Sequence, residues 1–579
     1  MKRSVVAVGA LIVVSRLMAQ QPPPAIALNQ LGFYPEASRM AVVTGPVKGE
    51  AFYLLEAASK DTVYKGRLTR ATPSHNSSLV THKADFTDFK GKGNFVLYVP
   101  GSGNSYLFRI ADAVNRPLAL AVLKGYYFIR SNQPLMPEYA GAWSRPAGHP
   151  DTAVIIHPSA ASAARPAGTV LSAPGGWYDA GDYNKYVVNS GISTSTLLSA
   201  YEDFPAYFDT LKTNIPESNN TIPDILDEAL YNLRWMLTMQ DPGDGGVYHK
   251  LTNAAFDGMV MPGVTKLPRY LVQKSTAAAL NLAAVAAQAA RLLKKQKLLP
   301  ALADSCLKAA AKAWKWAEAN PAVYYRQSAL NAAFDPDITT GEYGDGKLED
   351  EWFWAAAEVY AATKEPVYFK VLQQGLHHAV TLPSWNEVRM LGYYTLLNTK
   401  AEPDLQQALK DTLIRMADQY VASREQNAFG VVMGQAPADF IWGSNAVAAN
   451  QGELLVKAFL LTGNQNYLSG ALSNLDYIAG RNATGYSFVT GIGSKPVMHP
   501  HHRPSQADGI EAPVPGLLSG GPNPGRQDGC TYPYTEPETA FVDNVCSYAS
   551  NEIAINWNAP IVYLAHAIEA LQTKLKPIR

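Results

Sequence analysis

The stretch Gly175-Gly-Trp-Tyr-Asp-Ala-Gly-Asp-Tyr-Asn-Lys-Tyr-Val187 sets two carboxylates, Asp179 and Asp182, three residues apart among three tyrosines and a tryptophan. Carboxylates supply acid or base groups, and flat apolar rings stack on pyranose faces while their polar edges stay hydrogen-bonded. Together they point to sugar chemistry. A second reading fits the same residues: Asp182 N-caps a helix beginning near Tyr183, its side-chain oxygen satisfying an orphan amide. The loop alone leaves both open.

Helical periodicity recurs from this loop almost without interruption to the C-terminus. The spacing predicts helices over Tyr183–Phe204, Ile222–Gln240, Lys274–Lys295, Ala301–Ala319, Leu348–Thr363, Pro366–His378, Trp385–Leu397, Pro403–Arg424, Ser444–Leu461, Asn466–Ala479 and Asn556–Lys574. One more is predicted before the loop, over Pro117–Ser131, with proline in its first turn. Ala277–Leu293 is apolar around much of its circumference, which suits a helix packed on two sides. About twelve helices with loops between them suit an (α/α)6 barrel whose mouth collects the loops, and periodicity equally allows a solenoid or a bundle. Residues 132–176 read as a long irregular segment delivering the acidic loop. Earlier still, Met40–Val43, Ala51–Leu55, Asn94–Val99 and Ser105–Ile110 are short apolar or alternating runs between turn residues, the pattern of a small β-sandwich.

Composition narrows the partners. Lys plus Arg equals Asp plus Glu, 49 against 49 in 579 residues. That balance gives no electrostatic reason to expect nucleic acid or an anionic membrane, and a neutral substrate fits it. Lys2 and Arg3, an apolar run from Val5 to Val14 and small residues near Ala19 read as a signal peptide, too short to span a membrane. The mature protein is expected to be exported and monomeric. Of three cysteines, Cys530 and Cys546 are near enough in sequence for a loop-closing disulfide, and Cys306 lies in a helical pattern as a buried thiol.

Two later segments carry further chemistry. Ser487–Arg503 ends in Met-His-Pro-His-His-Arg, whose His499, His501 and His502 fit no standard zinc spacing but offer donors for sugar hydroxyls. Tyr548-Ala-Ser-Asn-Glu-Ile-Ala-Ile-Asn-Trp-Asn-Ala-Pro560 has Glu552 as its single acid, which would also be at home in the first turn of a helix.

Taken in order and spacing, the Gly-Trp-Tyr-Asp-Ala-Gly-Asp loop, the segment ending at Arg503 and the Asn-Glu…Asn-Trp-Asn-Ala-Pro run resemble the signatures of glycoside hydrolase family 9, the inverting cellulase family. The β-rich start resembles the immunoglobulin-like domain carried by one branch of that family. The resemblance implies a signal peptide over 1–20, an immunoglobulin-like sandwich over 21–112 and an (α/α)6-barrel catalytic domain over 113–579. It makes Asp182 the general base, Asp179 its water-holding partner and Glu552 the general acid. His501 and Arg503 would bind sugar near the cleavage point, with Asp543 a candidate negative neighbour of Glu552. Trp177, Trp385, Trp442, His249 and Tyr183 become candidates for substrate contact. An inverting pair needs one ionised and one protonated carboxyl roughly 6.5–9.5 Å apart, to admit a water. The substrate expected is β-1,4-glucan, with an exo-acting enzyme on short oligosaccharides as the alternative. A non-catalytic carbohydrate-binding protein fits the three acids less well.

No cofactor is implied for catalysis. Thr340–Glu351 places Asp345, Asp350 and Glu351 in one turn where related enzymes hold structural calcium, although the same acids could cap a helix. Relatives with the β-module often bind zinc before the Asp loop, but 141–176 has His149 and His157 and no cysteine, so zinc is not expected.

Overall fold

A computed structural model of the chain describes residues 25–399 and 401–577; the predicted signal peptide lies outside the described residues. Two sheets form first. One runs Ile26–Ala27, Met40–Val43, Val80–Asp85, Thr72–Pro73 in spatial order, and the other is built around Gly93–Val99, flanked by Ala51–Glu56 and Phe108–Ile110. Alternation puts Phe52, Leu54, Phe95, Leu97 and Val99 inward, where they meet Phe33, Phe86 and Phe108 from the neighbouring strands. Phe33 packs edge-on against Phe86 and Phe108 at 5.1 and 5.4 Å. The sandwich thus has a core of its own.

Twelve long helices follow: α1 Arg116–Phe128, α2 Val187–Asp203, α3 Asp224–Thr238, α4 Thr276–Lys295, α5 Pro300–Ala319, α6 Glu349–Thr363, α7 Pro366–Gly375, α8 Arg389–Asn398, α9 Pro403–Ala422, α10 Ser444–Thr462, α11 Gln465–Ile478 and α12 Ile555–Leu571. They make an (α/α)6 barrel. The even-numbered helices are buried on nearly every side and form the inner ring, α12 on α2, α2 on α4, α4 on α6 and α6 on α8. The odd-numbered helices cover the ring from outside; α9 buries a single stripe, Leu405, Leu409, Leu413 and Ala417 at helical spacing, whereas α11 is buried along most of its length. In α4 only Arg291, Lys294 and Lys295 escape burial, which explains why its sequence lacks a polar face.

Two local predictions change. The helix expected from Tyr183 starts only at Val187, and Asp182 makes no cap to it. The helix expected from Trp385 starts at Arg389, after a tight turn closed by Ser384 and Glu387. Within 132–176, read as irregular, lies part of a five-stranded sheet ordered Val170–Leu171, Val154–Ile156, Arg269–Leu271, Lys250–Asn253, Lys185–Tyr186. Its last strand continues directly from the acidic loop.

The sandwich is bound to the barrel by buried polar contacts. Asn29 donates to Asp476, Asn76 to the Gly434 carbonyl and Thr81 to the Ala428 carbonyl. Gln30 Oε1 accepts from the amides of Ser494 and Lys495, at the root of the segment that leads to His501.

Candidate active site

Three distant segments converge on Gly181. Its amide donates to Glu552 Oε1 at 3.3 Å, and its carbonyl accepts from Arg503 Nη1 at 2.7 Å and from the Arg503 amide at 3.2 Å. Residue 181 must be glycine because a Cβ there would stand 2.2 Å from the His501 carbonyl oxygen and 3.2 Å from Glu552 Oε1. Asp179 and Asp182 flank this glycine, so the loop brings both to the side of Glu552. His501 and Glu552 are paired across a parallel bridge, and the His501 amide bonds the Asn551 carbonyl at 2.8 Å.

Donors crowd the aspartates. Asp182 Oδ2 accepts from Asn184 Nδ2 at 2.6 Å and Tyr186 Oη at 3.1 Å. Asp179 accepts from Asn189 Nδ2 on one oxygen and Tyr343 Oη on the other, both at 2.7 Å. Burial, and next the charge of Asp182, push the Asp179 carboxyl well above the usual range, with its two donors opposing. Burial also raises Glu552 well above the ordinary glutamate value, helped by Asp182 and then Asp179; the Gly181 amide and Arg503 pull back only weakly. Glu552 is thus built to keep its proton, and Asp179 is pushed the same way, by burial and by the charge of Asp182 that acts on both.

The remaining candidates divide. Trp442 is 42% exposed and lies 5.4 Å from the Tyr548 ring, which in turn meets His501 at 5.9 Å. His501 fixes its ring through Nδ1 on the Val545 carbonyl at 2.6 Å. Trp385 is partly buried and stands edge-on to Tyr343 at 5.2 Å, one ring removed from Asp179. Arg503 is committed to structure at two nitrogens, Nη1 on Gly181 and Nε on the Asp257 carbonyl.

Three candidates do not reach the cleft. His249 is 1% exposed, with Nδ1 on Ser275, Nε2 on the Glu342 carbonyl and its ring stacked on Tyr325. It supports the wall instead of touching sugar, and burial drives its pKa down to about 3. Tyr183 is also 1% exposed; its hydroxyl donates to the Val260 carbonyl and its ring packs on Tyr178 and His149. Trp177 is wholly buried against Tyr126. Asp543, expected beside Glu552, instead accepts from the amides of Met498 and His499 and from Asn551 Nδ2, fastening the histidine segment.

Comparison with known proteins agrees with this convergence. The family model for Glycosyl hydrolase family 9 matches residues 117–565, and that for the Cellulase N-terminal ig-like domain matches residues 21–104. The chain belongs to glycosyl hydrolase family 9. It is 47% identical over 557 residues to the xyloglucan-specific endo-beta-1,4-glucanase BoGH9A of Bacteroides ovatus, covering 95% of this chain and 94% of that one. It is 33% identical over 548 residues to endoglucanase D of Acetivibrio thermocellus, covering 93% and 82%. Among solved structures, a Bacteroides ovatus family 9 protein superposes with a TM-score of 0.90 at 46% identity, covering 95% of this chain and 100% of that one.

Four side chains of this glycoside hydrolase that grip the aspartates were not singled out from sequence: Asn184, Tyr186, Asn189 and Tyr343. Asn184 and Tyr186 stand inside the opening motif, and Tyr343 inside the acidic turn, so the signal was their proximity to acids already chosen. The segment before the Asp loop is pinned by side-chain ion pairs. Asp151 is paired with Lys185 Nζ and Arg269 Nε, both at 2.7 Å and all three buried, and His149 lies 3.7 Å from Asp257. Among the described residues no group of three or more His, Cys, Asp or Glu side chains is arranged to hold a metal ion. Asp345, Asp350 and Glu351 are nonetheless buried side by side, and Asp345 Oδ2 and both Glu351 oxygens have no hydrogen-bond partner.

Proposed function

We propose that this family 9 enzyme cleaves internal β-1,4-glucosidic bonds of a β-glucan with inversion, Asp182 acting as general base and Glu552 as general acid. The observation that carries this reading is the Gly181 junction, where one residue touches Glu552 through its amide and Arg503 through its carbonyl, with Asp182 next to it and Asp179 two residues before it. Asp182 takes a proton from a water that Asp179 helps to hold. The water oxygen attacks the anomeric carbon as Glu552 gives its proton to the departing glycosidic oxygen, so the configuration inverts. Trp442 and Tyr548 offer faces to sugar rings along the same wall, and His501 offers a hydrogen-bonding edge. Endo action on β-1,4-glucan is supported by the names of the two curated relatives, one of them specific for xyloglucan.

Two finer points belong to the same reading. The chain is exported, which its basic and apolar N-terminal residues and the disulfide joining Cys530 to Cys546 support. Asp345, Asp350 and Glu351 would hold calcium: three buried carboxyls, two of them with oxygens that receive no hydrogen-bond donor, suit a hard divalent ion, and burial with mutual repulsion already raises Glu351. Calcium removal by a chelator is then expected to lower the unfolding temperature, and an unchanged temperature refutes the site.

NMR of the first products from cellohexaose and from xyloglucan oligosaccharides tests the main proposal. An initial α-anomer and cleavage at internal bonds are expected. An initial β-anomer overturns inversion, and stepwise release from one chain end overturns endo action.

A further inference from the structure

Lys250 is wholly buried, and all three of its hydrogen-bond acceptors are neutral: Gln327 Oε1 at 2.6 Å, Thr340 Oγ1 at 3.1 Å and the Gly341 carbonyl at 2.6 Å. Three acceptors match the three donors of an ammonium, and the rings of Tyr186 and Tyr325 cover it at 5.5 and 5.2 Å. A buried cation facing only neutral acceptors is costly. Its position explains what it does there.

Two hydrogen-bonded chains run from this ammonium to a single oxygen of Asp182. In the first, Nζ grips Gly341, whose amide donates to Tyr186 Oη at 3.1 Å, and Tyr186 Oη donates to Asp182 Oδ2 at 3.1 Å. In the second, Nζ donates to Thr340 Oγ1, which lies 2.6 Å from Thr252 Oγ1. Thr252 donates to Asn184 Oδ1 at 3.1 Å, and Asn184 Nδ2 donates to Asp182 Oδ2 at 2.6 Å. With Lys250 donating at the start, Thr340 passes its proton toward Thr252, whose hydroxyl is shared between Asn184 Oδ1 at 3.1 Å, on the way to Asp182, and the Asn253 carbonyl at 2.8 Å. Successive bonds in such a chain polarise one another. Backbone pairing keeps the two ends in register, since Tyr186 and Lys250 are cross-strand partners in the five-stranded sheet. The same grip on Thr340 and Gly341 holds the turn that presents Tyr343 to Asp179.

We propose that Lys250 is a positioning residue for the general base, holding Asp182 in place through the Tyr186 and Thr340–Thr252–Asn184 chains. This rests on Asp182 being the base. Burial pulls the Lys250 ammonium down to about 7, so it is charged on the acidic side of neutral, and the charges of Asp182 and then Glu342 oppose that pull, with Tyr186, Tyr325 and His249 packed around it and Asp179 beyond Asp182. Loss of a positive charge disfavours the ionised carboxylate, so the acidic limb of activity must move to higher pH.

The test uses Lys250→Met, Tyr186→Phe and the double variant in the full chain, with Asp182→Asn as control, on cellohexaose. Lys250→Met is expected to lower kcat about 10–100-fold with KM changed less than about threefold, and to raise the acidic limb of kcat/KM by about one pH unit. Tyr186→Phe keeps the ring over Lys250 and cuts one chain; it is expected to shift the same limb, and the double variant to lose less than the product of the two singles. Unchanged kcat and an unmoved limb in Lys250→Met overturn the proposal, as do independent, multiplicative losses. Should Lys250→Met not fold, an unmoved limb in Tyr186→Phe overturns it alone. An active Asp182→Asn overturns the base assignment instead, which separates the two failures.

Discussion

The two sides of the cleft are built in opposite ways. On the aspartate side Asn184, Tyr186, Asn189 and Tyr343 all donate to carboxylate oxygens, and a buried ammonium stands behind them. Across Gly181, Glu552 receives one backbone amide at 3.3 Å and faces the charge of the aspartate pair, Asp182 first, with Asp179 itself pushed up by burial and by Asp182. Donors favour the anion and negative neighbours favour the neutral acid, so a single glycine separates a place for a carboxylate from a place for a carboxylic acid. Proton holding is decided by surroundings, since all three groups are ordinary carboxyls.

The contrast breaks most sharply if each side is neutralised. Asp182→Asn and Glu552→Gln are each expected to lower kcat on cellohexaose about 10²–10⁴-fold with the far-UV spectrum intact. Only the glutamate variant should recover on a substrate with a good leaving group, such as dinitrophenyl β-cellobioside, because such a group departs without a proton. Equal recovery of both erases the distinction. Gly181→Ala strikes both sides together, since its methyl would drive into the His501 carbonyl and Glu552. A loss above tenfold on both substrates is expected, and wild-type kinetics would show that the junction is loose.

As the proposed general acid Glu552 must act in its protonated form, and its pKa is raised, so activity is expected to be retained up to that raised pKa and lost as pH rises through it. The basic limb of kcat/KM should therefore lie well above the ordinary glutamate range near 4.5. A limb near that value would mean the negative neighbours do not act. The smallest effect concerns the acid side alone. Cys530 and Cys546 close a loop of sequence separation 16 that leads into Tyr548. Cys546→Ser is expected to cost about 3 kcal/mol at most and to raise KM a few-fold with kcat nearly unchanged, read by thermal unfolding and steady-state kinetics.

Helices and motifs were legible in the sequence for different reasons. The helices announce themselves through period, as in α9, whose buried leucines recur at 405, 409 and 413. Asp179, Asp182 and Glu552 were legible because three long signatures stood in order. Strands Thr62–Arg67 and Val80–Asp85 were missed because their pattern is inverted: Val63 and Val80 are exposed while Thr81 and Lys83 are buried, and their apolar content is low. The five-stranded sheet was missed because its pieces run two to four residues and pair across as many as 115 positions, as Ile155 does with Tyr270. That omission hid Lys250, which follows His249 in sequence but is brought to the Asp182 loop only once Lys185–Tyr186 and Lys250–Asn253 are paired. His249 and Tyr183 show the converse error. A motif says which residues are near a cleft, and only packing says which way a ring points.

Gln30 reaches out of the sandwich to hold the amides of Ser494 and Lys495, and Asn29 and Tyr34 cap the barrel acids Asp476 and Glu569. For anyone shortening this enzyme, the β-module is therefore a wall and not an attachment. A barrel cut free at residue 113 would open two acids to water and leave the strand root beneath His501 without its clasp.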